Sequence, residues 1–302
     1  MLESSEAEKF AQVAQQVEPH STLLRTWELQ GGVSAQVTAL ELARPDGRTR
    51  KLVVRQHGAV DREHNPQIAA DEFKLLQLLQ SVGVAAPAPL YLDQSGAIFA
   101  TPYIVLEYVE GQPEFAPANL PDFLLQFATQ LARIHQIQCA DLDLSFLPKQ
   151  ETRHAATLST RPIQMDESLD EGRIRDALEA GWPLPQRNEA VLLHGDFWPG
   201  NILWREGKLV AVLDWEDAQT GDPLADVANS RLEILWAFGN EAMRQFTRHY
   251  QALAALDYTD LPYWDLWAAL RPAGKIGAWG LDAGTEQRMR ESHRWFITQA
   301  FQ

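Results

Sequence analysis

Three side chains able to handle a proton or a hard metal ion, Asp196, Asn201 and Asp214, crowd one stretch, VLLHGDFWPGNILWREGKLVAVLDW, at residues 191–215. A carboxylate can take up a hydroxyl proton, and carboxylate and carboxamide oxygens are the ligands Mg²⁺ prefers. Residues 202–213 alternate around Glu206-Gly207 and predict a β-hairpin. The ends of a hairpin lie side by side, so Asn201 and Asp214 would converge on one ion. Two loop turns whose Asp and Asn side chains cap local backbone would use the same residue types. The Asp-x-x-x-x-Asn spacing together with the hairpin favours the chemical reading. His194, two residues before Asp196, is read as a brace of the loop rather than a proton carrier.

The elements that must position these residues fall into two groups. Residues 7–17 predict a short helix. A strand broken by Gly31-Gly32 follows, then strands at 37–42 and, after the Pro45-Asp46-Gly47 turn, at 52–55. Residues 67–81 carry helical periodicity (Ile68, Leu75, Leu76, Leu79) and stop at Gly83 with Pro87 beyond. Strands at 90–92 and 103–108 complete a small antiparallel sheet with one helix. After the turn at Glu110-Gly111-Gln112-Pro113 the character changes. Phe123, Phe127, Leu131 and Ile134 mark an amphipathic helix, short helices are predicted near 145–148 and 170–180, and beyond Asp222-Pro223 the pattern is helical. This predicts an α+β molecule with a β-rich N-lobe (1–109), a mainly helical C-lobe (110–302), and a ligand cleft between the lobes. Asp222-Pro223 itself reads as a helix start.

Length and composition set bounds on function. The chain has 302 residues, 45% of them hydrophobic and 22% charged, as expected of a globular protein with a large core. No apolar run approaches the roughly 18–20 residues that span a bilayer, so no membrane association is expected. The start, MLESSEAEKF, lacks the apolar segment of a secretory signal. The single cysteine, Cys139, permits no intrachain disulfide, fits a reducing cytoplasm, and reads as a small buried hydrophobe. Twenty-six basic residues against 41 acidic ones give a net charge of −15, which argues against nucleic acid as a partner. The same field would draw in cations, Mg²⁺ and amine-bearing substrates among them, or the acidic surface simply aids solubility.

The spacing His194-x-Asp196-x-x-x-x-Asn201 is that of the protein-kinase catalytic loop. With the strings HGDFWPGNILW and VLDWEDAQTGDPLADVA, the chain resembles the aminoglycoside phosphotransferase and choline kinase-like family, a branch of the protein-kinase-like fold, over residues 25–240. The resemblance implies a two-lobed kinase fold and transfer of the γ-phosphoryl group of ATP (or GTP) to the hydroxyl of a small molecule, with Mg²⁺ as cofactor. It makes Asp196 the catalytic base and Asn201 and Asp214 the metal ligands. Gly195 stands where the protein-kinase loop has arginine.

Other residues then acquire expected roles. Glu72 points along the apolar face of its helix and needs a partner. Arg55 is at the family's lysine position, which touches the nucleotide phosphates and pairs with that glutamate, and its fork is larger and less adaptable than an ammonium. Gly31, Gly32 and Ser34 occupy the place of the nucleotide-covering loop, although an ordinary hairpin turn fits them equally well. The carbonyl of Glu107 and the amide of Val109 resemble the hinge that meets the base; a plain edge strand is the alternative. Glu216 and Asp217, after the metal aspartate, would face substrate or support the loop.

Ten tryptophans include Trp264, Trp267, Trp279 and Trp295 in the C-terminal helices. Core packing accounts for them, or with Asp257, Asp260, Asp265 or Asp282 they would form a wall for a cationic acceptor. Two other functions fit parts of the pattern: a nucleotide-binding pseudokinase module without turnover, favoured by Arg55, and a metal-dependent hydrolase, which would need more His and Asp ligands.

Overall fold

The computed structural model describes residues 5–29 and 35–302. Residues Gly31, Gly32 and Ser34 of the expected nucleotide-covering loop lie outside the described residues. The chain forms two compact units, Met1–Glu110 and Gly111–Gln302.

In the first unit, helix α1 (Glu6–Val17) is opened by a capping box in which Ser5 and Glu8 satisfy each other's backbone amides. Strands β1 (Thr22–Glu28), β2 (Ala35–Ala43) and β3 (Thr49–His57) precede helices α2 (Ala59–His64) and α3 (Ile68–Ser81) and strands β4 (Pro89–Asp93) and β5 (Tyr103–Glu107). The five strands form one antiparallel sheet in the order β1-β2-β3-β5-β4. β5 is therefore an internal strand, so Leu106 and Glu107 do not lie on the plain edge strand that is the alternative to a hinge at 106–109. The sheet's core joins Leu40, Leu42, Leu52, Val54 and Val105 to Phe10 and Val13 of α1 and to Phe99 and Tyr103.

The second unit begins with helix α4 (Leu120–His135), followed by α5 (Gln150–Ser159) and α6 (Glu171–Gly181). The expected helix near 145–148 is absent: residues 145–147 form a turn, and the helix starts only at Gln150. Pro148 disfavours helical backbone at Leu147, and its carbonyl accepts instead from the Thr220 amide at 3.0 Å. Strand β6 (Val191–Leu193) pairs with β9 (Gln219–Gly221), and between them β7 (Ile202–Arg205) and β8 (Lys208–Val212) form the expected hairpin. Its turn, Glu206-Gly207, has φ of 52° and 72°, the double positive value a tight hairpin needs. Helices α7 (Leu224–Phe238), α8 (Asn240–Leu253), α9 (Leu261–Leu270) and α10 (Ala283–Ala300) complete the unit, with α7 packed on α8, α9 and α10 and α4 packed on α8.

An aromatic seam joins these helices to the loop after β6. Phe127 of α4 lies edge-on to Phe197 at 4.6 Å and to Phe246 of α8 at 5.7 Å, and all three rings are fully buried. The residue next to Asp196 is thus a core residue. Truncating the seam leaves a ring-sized cavity, and Phe127→Ala is expected to cost about 3–5 kcal/mol. Denaturant unfolding of the second unit would show this as a lowered midpoint with an unchanged slope.

Candidate active site

The loop between β6 and β7 is built by its backbone as much as by its side chains. Asp226 of α7 is buried, and its two carboxylate oxygens accept the amides of His194 (2.7 Å) and Gly195 (2.9 Å). His135 of α4 adds Nε2 at 3.3 Å, and its Nδ1 lies 2.6 Å from the Tyr250 hydroxyl. Burial alone would raise the pKa of Asp226, but the His135 contact and the loop amides outweigh it and hold the group below the usual carboxylate range. One turn further along α7, the Ser230 hydroxyl donates to the Phe197 carbonyl at 2.8 Å.

Pulled in from both sides, the loop turns through a positive φ of 84° at Gly195, where a Cβ would collide with the Asp217 carbonyl. The arginine of the protein-kinase loop could not occupy this position. His194 spans the loop and the hairpin: Nε2 donates to the Leu213 carbonyl at 2.8 Å, and Nδ1 accepts the Asp196 amide at 3.2 Å. These bonds give it the bracing role and fix its tautomer.

Asp196 and Asn201 meet within this turn. Asn201 Nδ2 donates to the Asp196 carbonyl (3.0 Å) and to Asp196 Oδ2 (3.2 Å), which turns the carboxamide oxygen away from the loop. The hairpin closes on the same point, because the Leu213 amide donates to the Asn201 carbonyl at 2.8 Å. Asp214 is the next residue and has a φ of 64°, a left-handed conformation that aspartate tolerates better than most residues. The hairpin thus brings its two ends together as its length implied. Burial pushes the Asp196 carboxyl up despite the nearby Arg271 and His194, and Asp217 and Asp214 add to the rise.

Arg271, which sequence reasoning missed, caps α9 and reaches this loop. Its Nη2 lies 2.9 Å from Asp196 Oδ1, and its Nη1 donates to the Gly195 carbonyl at 2.7 Å. Asp226 was also missed as a site residue. Its signal was the acid that directly follows GDPLA, one helical turn before Ser230.

In the first unit, Arg55 and Glu72 are brought together as expected, at 3.1 Å, with the Glu72 side chain only 3% exposed. The sequence reading omitted His57, whose Nε2 lies 2.6 Å from the same Glu72 oxygen. The signal was present, since Arg55 and His57 alternate onto one face of β3. Burial would raise Glu72, yet Arg55 and His57 together hold it below the ordinary carboxylate range. Glu107 closes β5 with an exposed side chain, its amide donating to Ala88 at 2.8 Å, and Val109 lies two residues beyond the strand.

The remaining candidates have structural partners. Asp222 accepts the Leu224 amide at 2.9 Å, as a helix start requires, and Asp217 pairs with Arg153 at 3.4 Å. Asp265 takes both arms of Arg231, Asp260 pairs with Arg187, Asp257 accepts the Thr259 amide, and Asp282 caps α10. Trp264 is buried, and Trp267 stacks on His154 with ring centroids 3.6 Å apart. Trp279 is exposed and lies edge-on to Trp236, and Arg244 stands over the Trp295 ring. Cys139 is half-buried in a 3-10 turn, and burial pushes its thiol up, away from a nucleophilic thiolate. Among the described residues no helix is long and apolar enough to cross a membrane.

A β-sheet unit followed by a helical unit, with a loop carrying Asp and Asn ahead of a hairpin that ends in Asp, is the design of a kinase-like phosphotransferase. The chain belongs to the phosphotransferase enzyme family, whose model matches residues 28–273. Its fold is that of the GDP and kanamycin complex of APH(2")-IIIa, at 17% identity, a TM-score of 0.65, and 96% and 97% coverage of the two chains. It is similarly close to the macrolide 2'-phosphotransferase MphH of Brachybacterium faecium, at 16% identity, a TM-score of 0.62, and 94% and 96% coverage. In sequence it is 27% identical over 185 residues to Acyl-CoA dehydrogenase family member 11 of Pongo abelii, a match covering 55% of this chain. The chain spans only 23% of the length of that relative.

The Asp226 contact makes a prediction. Asparagine at this position can serve only one of the two loop amides, so Asp226→Asn is expected to destabilise the second unit by about 3–5 kcal/mol near neutral pH. A carboxyl whose folded pKa lies below its unfolded value stabilises above the unfolded pKa, and that contribution fades as pH falls through the folded value. Unfolding midpoints followed from pH 7 into the acid range should therefore show the gap between wild type and variant closing.

Proposed function

We propose that this chain is a small-molecule kinase that transfers the γ-phosphoryl group of a nucleoside triphosphate, ATP or GTP, to an alcohol. The observation that carries the reading is the joint placement of Asp196, Asn201 and the Leu213-Asp214 step on one loop and hairpin.

Asp196 is the base. Arg271 and Asn201 each occupy one side of its carboxylate, and the lone pairs left over can accept an acceptor hydroxyl. As the acceptor oxygen bonds to the γ-phosphorus, the bond from phosphorus to the β–γ bridging oxygen breaks. The hydroxyl proton passes to Asp196, and the products are a phosphate monoester and a nucleoside diphosphate. The base has little covalent work to do, and most of the rate comes from position and charge. A partly buried carboxylate held by two donors meets that need.

Asn201 and Asp214 offer oxygen donors alone, a set that fits Mg²⁺ and suits softer metals poorly. Bound there with the triphosphate, Mg²⁺ would neutralise phosphate charge. In the first unit, Arg55 is assigned to the nucleotide phosphates and Glu72 with His57 to holding its guanidinium in place. Gly31, Gly32 and Ser34 are assigned to covering the phosphates, and the backbone of Glu107 and Val109 to the base. The GDP of the APH(2")-IIIa complex supports a nucleotide as donor, and its kanamycin supports a hydroxylated small molecule as acceptor. The second reading, a nucleotide-binding module without turnover, draws on Arg55 at the family's lysine position.

Asp196→Asn is expected to lower turnover by at least about 10²–10⁴-fold while nucleotide affinity stays within several-fold. Asp214→Asn should abolish the Mg²⁺ dependence of nucleotide binding as well. Turnover assays with a panel of alcohols, alongside nucleotide titrations with and without Mg²⁺, check both. Near-normal turnover in Asp196→Asn would remove Asp196 from the role of base, and no transfer to any alcohol would favour the module without turnover.

A further inference from the structure

Arg271 differs from the other well-placed arginines of its unit. Arg231 spends its fork on both oxygens of Asp265 and on Thr247, and its side chain is 12% exposed. Arg175 pairs with Glu171 and two carbonyls and is 10% exposed. Arg271 is held by two contacts, to Asp196 Oδ1 and to the Gly195 carbonyl, yet stays 37% exposed. Of the five N–H donors of a guanidinium, those two contacts leave three without an acceptor among the described residues. The result is an oriented cation, open to solvent, touching the group proposed to deprotonate the acceptor.

A second donor faces the same place. Asp226, Ser230 and Glu233 are spaced i, i+4 and i+7 along α7 and so share one face. The first two grip the backbone of the catalytic loop. Among the described residues Glu233 makes no hydrogen bond or ion pair, although it lies close enough to Asp196 and Arg271 to feel both charges. Burial first, and then Asp196, push its carboxyl up to about 8 against the pull of Arg271, so at neutral pH it keeps its proton and can donate it. Glu233 is only partly buried, so its unmatched carboxyl stays within reach of a ligand.

We propose that Arg271, with Glu233 beside it, binds a carboxylate of the acceptor, so that the alcohols this enzyme phosphorylates are short hydroxy acids. The inference rests on the reading of Asp196 as base. An ammonium brought to the free edge of Arg271 would meet a guanidinium and a neutral carboxyl; of the nearby acids, Asp196 is already bonded to Arg271 and Asp217 to Arg153, and Asp257, Asp260, Asp265 and Asp282 are engaged elsewhere. The net charge of −15 favours cations at a distance, but salt screens it beyond about 8 Å, and contact chemistry decides. Because one nitrogen of Arg271 already touches Asp196, a carboxylate on its free edge sits about a guanidinium's width from the base. Hydroxyl and carboxylate must then share a short chain.

The test is a matched acceptor series on the wild-type chain with Mg²⁺ and a nucleoside triphosphate. It compares hydroxy acids with the hydroxyl at successive positions, their primary amides, and the corresponding amino alcohols. The best acid is expected to exceed its amide in kcat/KM by about 10–100-fold, the worth of a charge-assisted hydrogen bond. Arg271→Gln lowers turnover generally through its contact with Asp196, so the readout is the acid-to-amide ratio, which should collapse towards one. Arg271→Lys should keep part of it, with the nucleotide KM unchanged in both variants. Amides or amino alcohols used as well as the acids, or a ratio unmoved in Arg271→Gln, overturn the inference and leave the phosphotransfer reading standing. Transfer to no acceptor of any class overturns both.

Discussion

A carboxylate buried beneath a backbone turn must be met by N–H groups, or it takes up a proton and loses its hold. Asp226 is met three times, by the amides of His194 and Gly195 and by His135. Most of the second unit's local geometry follows from that satisfaction. The two amides can point at one carboxylate only if the chain doubles back between them, and glycine at 195 supplies the positive φ this requires. The reversal sends Asp196 outward and Phe197 inward, where it locks against Phe127. The same interaction that costs desolvation therefore defines where Asp196, the proposed base, stands.

The hairpin extends that rigidity to the next pair of groups. Its register pairs Ile202 with Val212, and the Leu213 amide closes onto the Asn201 carbonyl, so Asp214 follows directly on the closed end of the hairpin. Asn201 in turn holds Asp196 by backbone and side chain. Asp196, Asn201 and Asp214, the proposed base and metal ligands, are thus not three independent placements. They are one mechanical unit pinned to α7, which fits a reaction whose barrier is lowered mainly by position and charge.

Much of this was legible in the sequence because it is local. The spacing of Asp196, Asn201 and Asp214, the hairpin with its Glu-Gly turn, and the helix carrying Glu72 all depend on residues a few positions apart. The misses are long-range. Nothing near Arg271 indicates that it reaches a loop more than seventy residues earlier. Asp226 looks like any acid near a helix start until His135 and the loop amides surround it. His154 is buried in a ring of Trp182, Tyr263 and Trp267, with burial pulling it down to about 3, and no periodicity in 150–159 announces that. The helix expected near 145–148 does not form for a local reason: Pro148 disfavours helical backbone at Leu147, and this outweighs the apolar residues before it.

The central claim is that Asn201 and Asp214 hold the metal of a bound nucleotide. Anomalous diffraction from crystals grown with Mn²⁺ and a non-hydrolysable nucleoside triphosphate tests it directly. The account predicts one strong peak in contact with the Asn201 carboxamide oxygen, the Asp214 carboxylate and phosphate oxygens. Bound nucleotide with its metal coordinated by neither residue would contradict it.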